Sequence, residues 1–368
     1  MRQRVGAALA AAAALLALGG LATLVFWSDG MSQDTLNKPA PAGTVPIAVL
    51  GDSLSHAYQD SISFPPGTRE RGGDFHAGTL QWTEALSRLR GNEIDMGPWV
   101  AWGRPGVVAR ARELVGLPAG RAPKKEDYLY NFANSGAACK NLNGGRFRQT
   151  PRLLALMKQA PDRWQHGVVV IRIGLNDWTW MLDLQSREPD APQVSATAAF
   201  CVDQIRLAME AILAEYPAMR IVLVGYVNEA DDPVHFEEWR TAAATANIGR
   251  ALAMFNARLR ELAASTPQAS FFDDFAWFNQ RWGSRGPNGE PDYKTVTIGA
   301  LKVGNTKGDA PRNALLDDQH PGLVWNVLWA QSMAQHLHGL GFPVTPISDQ
   351  EVADLVASQI AQVKAPGS

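Results

Sequence analysis

Val45-Pro46-Ile47-Ala48-Val49-Leu50-Gly51-Asp52-Ser53-Leu54-Ser55 reads as a buried strand running straight into a tight turn. A near-continuous apolar run suits a strand covered on both faces, as in parallel sheets flanked by helices. The serine then stands at the carboxyl end of that strand, where open α/β sheets build their ligand crevices. Taken alone, Gly-Asp-Ser after a strand is ordinary turn chemistry. Its weight comes from the order of elements and motifs downstream of Ser55.

Past this turn, short apolar runs alternate with longer segments of helical periodicity. A helix is expected near residues 79–90, a strand over 128–133, a helix near 150–159 and a strand over 167–173. Next come a helix over about 196–215, a strand over 220–226, a helix marked by Ile248, Leu252, Phe255, Leu259 and Leu262, and a strand over 270–273. This alternation predicts a single three-layer α/β/α domain with a parallel sheet between two helical layers, spanning residues 45–343. Two Gly/Pro-rich insertions interrupt it, at 64–78 and 283–313, the second with room for a hairpin over 294–303. Ser348 and Glu351 form a capping box ahead of Val352, Leu355, Val356 and Ile360, which predicts a C-terminal amphipathic helix within 344–368.

The chain has 368 residues, 46% of them apolar and 19% charged, with a net charge of −2. That balance supplies a core and rules out bulk disorder. It lacks the clustered cations that nucleic-acid binding requires. Arg2 and Arg4 precede an uncharged stretch from Val5 to Trp27, long enough at about 1.5 Å per residue to span roughly 30 Å of hydrocarbon. The positive-inside rule then places everything after it outside the cytoplasm. Residues 1–27 are therefore expected to be a signal anchor, or else a cleaved signal peptide, and 28–44 a flexible spacer. In an oxidising compartment Cys139 and Cys201 could pair, although Cys201 also fits the inner stripe of a helix as a free thiol.

Four short motifs stand at strand ends or in a late loop: Gly51-Asp52-Ser53-Leu54, Asn131-Phe132-Ala133-Asn134-Ser135-Gly136, Gly174-Leu175-Asn176-Asp177 and Asp317-Asp318-Gln319-His320-Pro321. In that order they resemble the block pattern of the SGNH (GDSL-like) hydrolases, from about Val45 to Leu340. The resemblance implies a flavodoxin-like sheet of five parallel strands and hydrolysis of acyl esters. It assigns Ser53 as nucleophile, His320 as general base and Asp317 as the acid that orients the ring. Asp318 is the alternative acid. Ser53, Gly136 and Asn176 would form the oxyanion hole.

No cofactor is implied, and no metal site is indicated. His336 and His338, two apart on a predicted helix, face different ways. His56 lies near the site with no family role, and Ser55 is a rival hydroxyl. The expected function is an exported serine esterase acting on short-chain acyl esters of small-molecule or glycan alcohols. An O-acyltransferase of the same fold and a non-catalytic glycan-binding protein are the competing readings; acceptor competition would separate the first of these. Trp178, Trp180, Trp99 and Trp102 are candidates to stack on a sugar, or else core residues. Charged residues of the first insertion, Arg69, Glu70, Arg71 and Asp74, make a poor lining for an acyl tunnel.

Overall fold

The computed structural model describes residues 19–20, 41–68, 71–73, 75–235, 238–239, 241–286 and 288–364. The segment from Val5 to Trp27 falls outside them except for Gly19 and Gly20, as does most of the 28–44 spacer, and so do Arg69, Glu70 and Asp74. Among the described residues, no helix is long and apolar enough to cross a membrane.

The opening strand, β1 (Val45–Gly51), is buried at every position. After it come β2 (Ile94–Asp95), an antiparallel pair β3 (Trp99–Trp102) and β4 (Lys125–Tyr128), and then β5 (Val168–Arg172), β6 (Arg220–Val224) and β7 (Ala269–Phe272). A five-stranded, all-parallel sheet results, in the order β2-β1-β5-β6-β7. From β1 the chain first moves to one side, to β2, and later crosses to β5 on the other. The switch point of the sheet therefore lies between the carboxyl ends of β1 and β5, where α/β folds open a crevice.

The edge strand departs from the sequence expectation. Residues 128–133 do not form a continuous strand; Asn131 makes an isolated parallel bridge to Val49, and Ile94 and Asp95 pair with Val45 and Pro46. The chain leaves the edge at Met96 and returns at Tyr130, whose N–H bonds the Met96 carbonyl (3.0 Å). The buried Arg121 guanidinium fills the resulting loop and donates to the carbonyls of Tyr128, Asn131 and Lys125.

The helices are α1 (Trp82–Arg90), α2 (Gly106–Leu114), α3 (Gln149–Met157), α4 (Leu175–Trp178), α5 (Leu182–Arg187), α6 (Pro192–Glu215), α7 (Ala242–Ala264), α8 (Asp274–Trp282), α9 (Leu323–Gly339) and α10 (Asp349–Lys364). In α6, Val194, Ala198, Cys201, Ile205, Ala208, Met209 and Ile212 recur at three- or four-residue spacing and are buried. It packs with α3 and α7, while α1, α9 and α10 form a second group in which Trp82 meets Trp329 at 4.7 Å. Full burial of β1 and β5 requires both sheet faces to be covered, as in an α/β/α arrangement. The Ser348–Glu351 capping box is present, and α10 docks through buried Val352 and Val356 and the Arg90–Glu351 ion pair.

The second insertion holds β8 (Gly283–Arg285) paired with β9 (Pro291–Tyr293), and the expected hairpin as β10 (Thr295–Ile298) and β11 (Leu301–Lys307). Strand β12 (Asn313–Leu315) pairs with β11 and leads directly into the loop that carries His320.

Candidate active site

Gly51 ends β1 where a Cβ would stand 2.4 Å from the Arg172 carbonyl oxygen, so no larger residue fits. The Gln149 side chain brackets it, accepting its N–H (2.8 Å) and donating to its carbonyl (2.7 Å). The chain then turns around Asp52, whose Oδ1 accepts the Leu54 N–H at 3.0 Å. Burial pushes the Asp52 carboxyl up to about 6, against the pull of that N–H and of Arg172. This turn presents Ser53. Ser55 is fully buried on another side, its hydroxyl accepting the Trp82 indole N–H at 3.0 Å, which removes it as a rival nucleophile.

Ser53, Gly136, Asn176 and His320 all line one cavity of about 500 Å³. Gly136 has a φ of +73°, the left-handed conformation that glycine adopts without strain. Among the described residues, neither the Ser53 N–H nor the Gly136 N–H has an acceptor. Asn176, on the one-turn helix α4 beyond β5, spends one Nδ2 hydrogen on the Ala137 carbonyl (2.9 Å) and keeps the other. Three unspent donors at one cavity wall are what an anionic oxygen requires.

The loop after β12 is closed by the Leu316 N–H to the His320 carbonyl (2.9 Å) and the Gln319 N–H to the Leu316 carbonyl (3.0 Å). Gln319 takes a φ of +72° within it. This curl folds Asp318 back as an Asx turn, its Oδ1 accepting the His320 backbone N–H at 3.1 Å. The same oxygen lies 3.3 Å from His320 Nδ1. Asp318, not Asp317, is thus the carboxylate beside the ring; Asp317 is exposed and gives its N–H to Asp309. The expectation of a three-residue spacing is corrected by the turn, which needs a two-residue one. Among the described residues, Ser53 Oγ and the ring share the cavity without a mutual hydrogen bond, a contact that commonly tightens only with substrate bound.

Burial lowers the His320 pKa, as does the Arg71 guanidinium, and Asp318 only partly offsets them. Burial alone would raise Asp318, but the bond to His320, the histidine charge and the Arg71 N–H hold its carboxyl well below the usual range. Arg71, from the first insertion, is fully buried. Its backbone N–H donates to Asp318 Oδ2 (2.8 Å), and its guanidinium to the carbonyls of His56 (2.6 Å) and Ser53. It lies over the Tyr58 ring at 4.4 Å.

Sequence reasoning missed Glu229, Asp232 and His235, cavity-wall residues from the loop after β6. The acid-rich stretch Asn228-Glu229-Ala230-Asp231-Asp232, shortly after the carboxyl end of a buried strand, was the signal for them. Glu229 accepts hydroxyls from Thr179 and Tyr226, both at 2.6 Å. Burial raises Asp232 to about 7. Of the four candidate tryptophans, Trp178 is buried against Phe255, Trp102 is buried against Phe132 and Trp99 is half-buried against Tyr128. Trp180 lines the cavity and is 85% exposed. Elsewhere, a disulfide joins Cys139, just past the Gly136 loop, to Cys201 on α6.

The family model for GDSL-like lipases and acylhydrolases matches residues 47–280. The chain belongs to that family and is an ester hydrolase. No curated protein matches it. Among solved structures, the lipase Lip_vut3 from a goat rumen metagenome is 16% identical, with 81% of this chain and 98% of that one covered and a TM-score of 0.40. A catalytic mutant of Axe2, an acetylxylan esterase from Geobacillus stearothermophilus, is 15% identical over 84% of this chain and 100% of that one, with a TM-score of 0.34.

Proposed function

We propose that this chain is an exported serine esterase that removes short acyl groups, acetyl foremost, from hydroxyl-rich alcohols such as carbohydrates. The observation that carries the reading is the convergence of Ser53, His320 and three unspent N–H donors on one cavity. Ser53 Oγ attacks the ester carbonyl while His320 Nε2 takes its proton. Asp318 keeps the Nδ1 hydrogen in place and favours the imidazolium. The oxyanion is received by the N–H groups of Ser53 and Gly136 and by Asn176 Nδ2. His320 returns the proton to the departing alcohol, and water, activated by the same ring, then frees the acyl group from Ser53.

Short acyl chains and a polar alcohol are favoured by the cavity wall. Asp232 and His235, partly open to the cavity, would have to be stripped of water by a long hydrocarbon without compensation. Trp180 offers an open indole face on which the apolar side of a sugar ring can stack. Export and membrane tethering are supported by the cation-led apolar segment from Val5 to Trp27 and by the Cys139–Cys201 disulfide, a bond of oxidising compartments.

The test is an ester series from acetyl to octanoyl, together with an acetylated polysaccharide. Specificity constants should fall steeply with acyl length, acetate should be released from the polymer, and Ser53→Ala should abolish both turnover and fluorophosphonate labelling. A preference for octanoyl or longer chains overturns the acyl reading; labelling that survives Ser53→Ala overturns the nucleophile.

A further inference from the structure

We infer that His56, buried and outside the triad, is a positioning residue for the oxyanion hole: it grips the Ser135 peptide so that the Gly136 N–H stays turned to the cavity. The inference rests on the esterase reading. The Ser135 N–H donates to His56 Nδ1 at 3.0 Å, and His56 Nε2 lies 2.8 Å from Asp60 Oδ2. A ring nitrogen can accept only when it carries no proton, so this pair of bonds requires the Nε2–H tautomer, with Asp60 as its acceptor.

The surroundings enforce that state. Asp60 is fixed through Oδ1 by the N–H groups of Ile62 (3.0 Å), Ser63 (3.1 Å) and Glu126 (2.8 Å). The His56 carbonyl is held by Arg71 and by Gln81 (3.1 Å). Burial, then the nearby Lys125 charge, bring the His56 pKa down to about 4 against the carboxylates of Asp60 and Asp127, so the ring is neutral at physiological pH.

The carboxylate–histidine arrangement looks like half of a second triad, but the group at its end is a backbone N–H rather than a hydroxyl. It therefore cannot generate a nucleophile; it can only fix a peptide. The fixed peptide, Asn134–Ser135, immediately precedes the Ser135–Gly136 peptide that carries the oxyanion donor. Downstream, the loop is tied by the Ala137 N–H to the Asn134 carbonyl (3.0 Å), by Asn176 to the Ala137 carbonyl and by the Cys139 N–H to Asp177 (2.8 Å). On the upstream side of Gly136, His56 supplies the matching tie. Without it the half-buried Ser135 N–H has no protein acceptor, its peptide can turn, and the Gly136 N–H, one peptide further on, loses its alignment.

Two measurements test this. In the full chain labelled with ¹⁵N-histidine, one of the seven histidines, identified by its loss in His56→Asn, should show an unprotonated Nδ1 and a protonated Nε2 at neutral pH. The Nδ1–H tautomer, or an imidazolium, overturns the inference whatever the variants do. Kinetics on 4-nitrophenyl acetate supply the second readout. Asparagine places an amide oxygen where Nδ1 stands, whereas glutamine places its amide near Nε2. His56→Gln should lower kcat by roughly 10²-fold with KM nearly unchanged, and His56→Asn should stay within about threefold of the wild type. Equal losses in both variants, or a loss confined to KM, overturn it. The tautomer is read without turnover, so a failure of the esterase reading itself shows separately, as a wild-type enzyme that does not hydrolyse the ester.

Discussion

Asp318→Asn is the sharpest perturbation of the proposed triad. The carboxylate Oδ1 lies 3.3 Å from His320 Nδ1, and both groups are largely shielded from solvent. Two opposite unit charges at that separation, in an effective dielectric of about 20, attract by about 5 kcal/mol. The imidazolium exists only after Ser53 gives up its proton, so this attraction lowers the barrier rather than the ground state. Asparagine retains an oxygen to cap the His320 N–H and keep the loop curled, but its NH2 replaces the oxygen that accepts the Arg71 N–H, so that bond is lost along with the charge. A loss of about 3–5 kcal/mol, or roughly 10²–10⁴ in kcat, is expected on 4-nitrophenyl acetate, together with a modest fall in thermal midpoint from the lost Arg71 bond. Asp317→Asn, at an exposed position, should stay within about twofold of the wild type. If Asp317→Asn collapses kcat and Asp318→Asn does not, the curled loop is not the working arrangement and the three-residue spacing stands.

Asn176→Ala removes one oxyanion donor and should lower kcat by roughly 10²–10³, about 3 kcal/mol, with KM little changed; a loss seen only in KM would make Asn176 a binding residue. Burial and the Arg71 charge hold the His320 pKa below its usual 6.5, and the base must be unprotonated to act. The acid limb of kcat/KM should therefore fall below pH 6.5, and lower still in Asp318→Asn, which loses the group opposing that shift; an inflection above 6.5 in the wild type contradicts the site's electrostatics. Replacing both Cys139 and Cys201 by alanine opens a link across 62 residues, which the chain-entropy model values at about 4 kcal/mol. Urea unfolding of the double variant should show most of that loss, and a change under about 1 kcal/mol would count against the bond.

Strands β1, β5 and β6 were legible because burial on both faces leaves a short, nearly continuous apolar run, and β7, only partly buried, was placed by its position after the preceding helix. The edge next to β1 was not. It is assembled from a two-residue strand and a single bridge at Asn131, too little pairing to impose any periodicity. The motif residues Ser53, Gly136, Asn176 and His320 were readable through their places after strands or in a late loop, and the structure gathers them at one cavity. Which acid lies beside the ring was not legible because Asp317 and Asp318 are chemically identical neighbours, and their placement depends on the left-handed Gln319 that creates an Asx turn. Trp178 and Trp180 divide for a simpler reason: two residues apart on a helical stretch, they point opposite ways, one to Phe255 and the other to solvent. His56 lay in view but could not be interpreted, since its partners Asp60 and Ser135 are found only once the chain has folded.

Arg71 gives the first insertion a mechanical meaning. One residue, fully buried, binds the carbonyl of the nucleophile and, through its own backbone, the carboxylate of the base loop. The two loops come from opposite ends of the domain and have separate scaffolds, so their relative placement depends on a splint borrowed from a third. Exchanging residues 64–78 to redirect substrate preference would therefore disturb the alignment of Ser53 and His320 along with the cavity rim. A graft that keeps an arginine at position 71 and its left-handed backbone leaves the two loops in register; one that does not should lose turnover before it gains a new substrate.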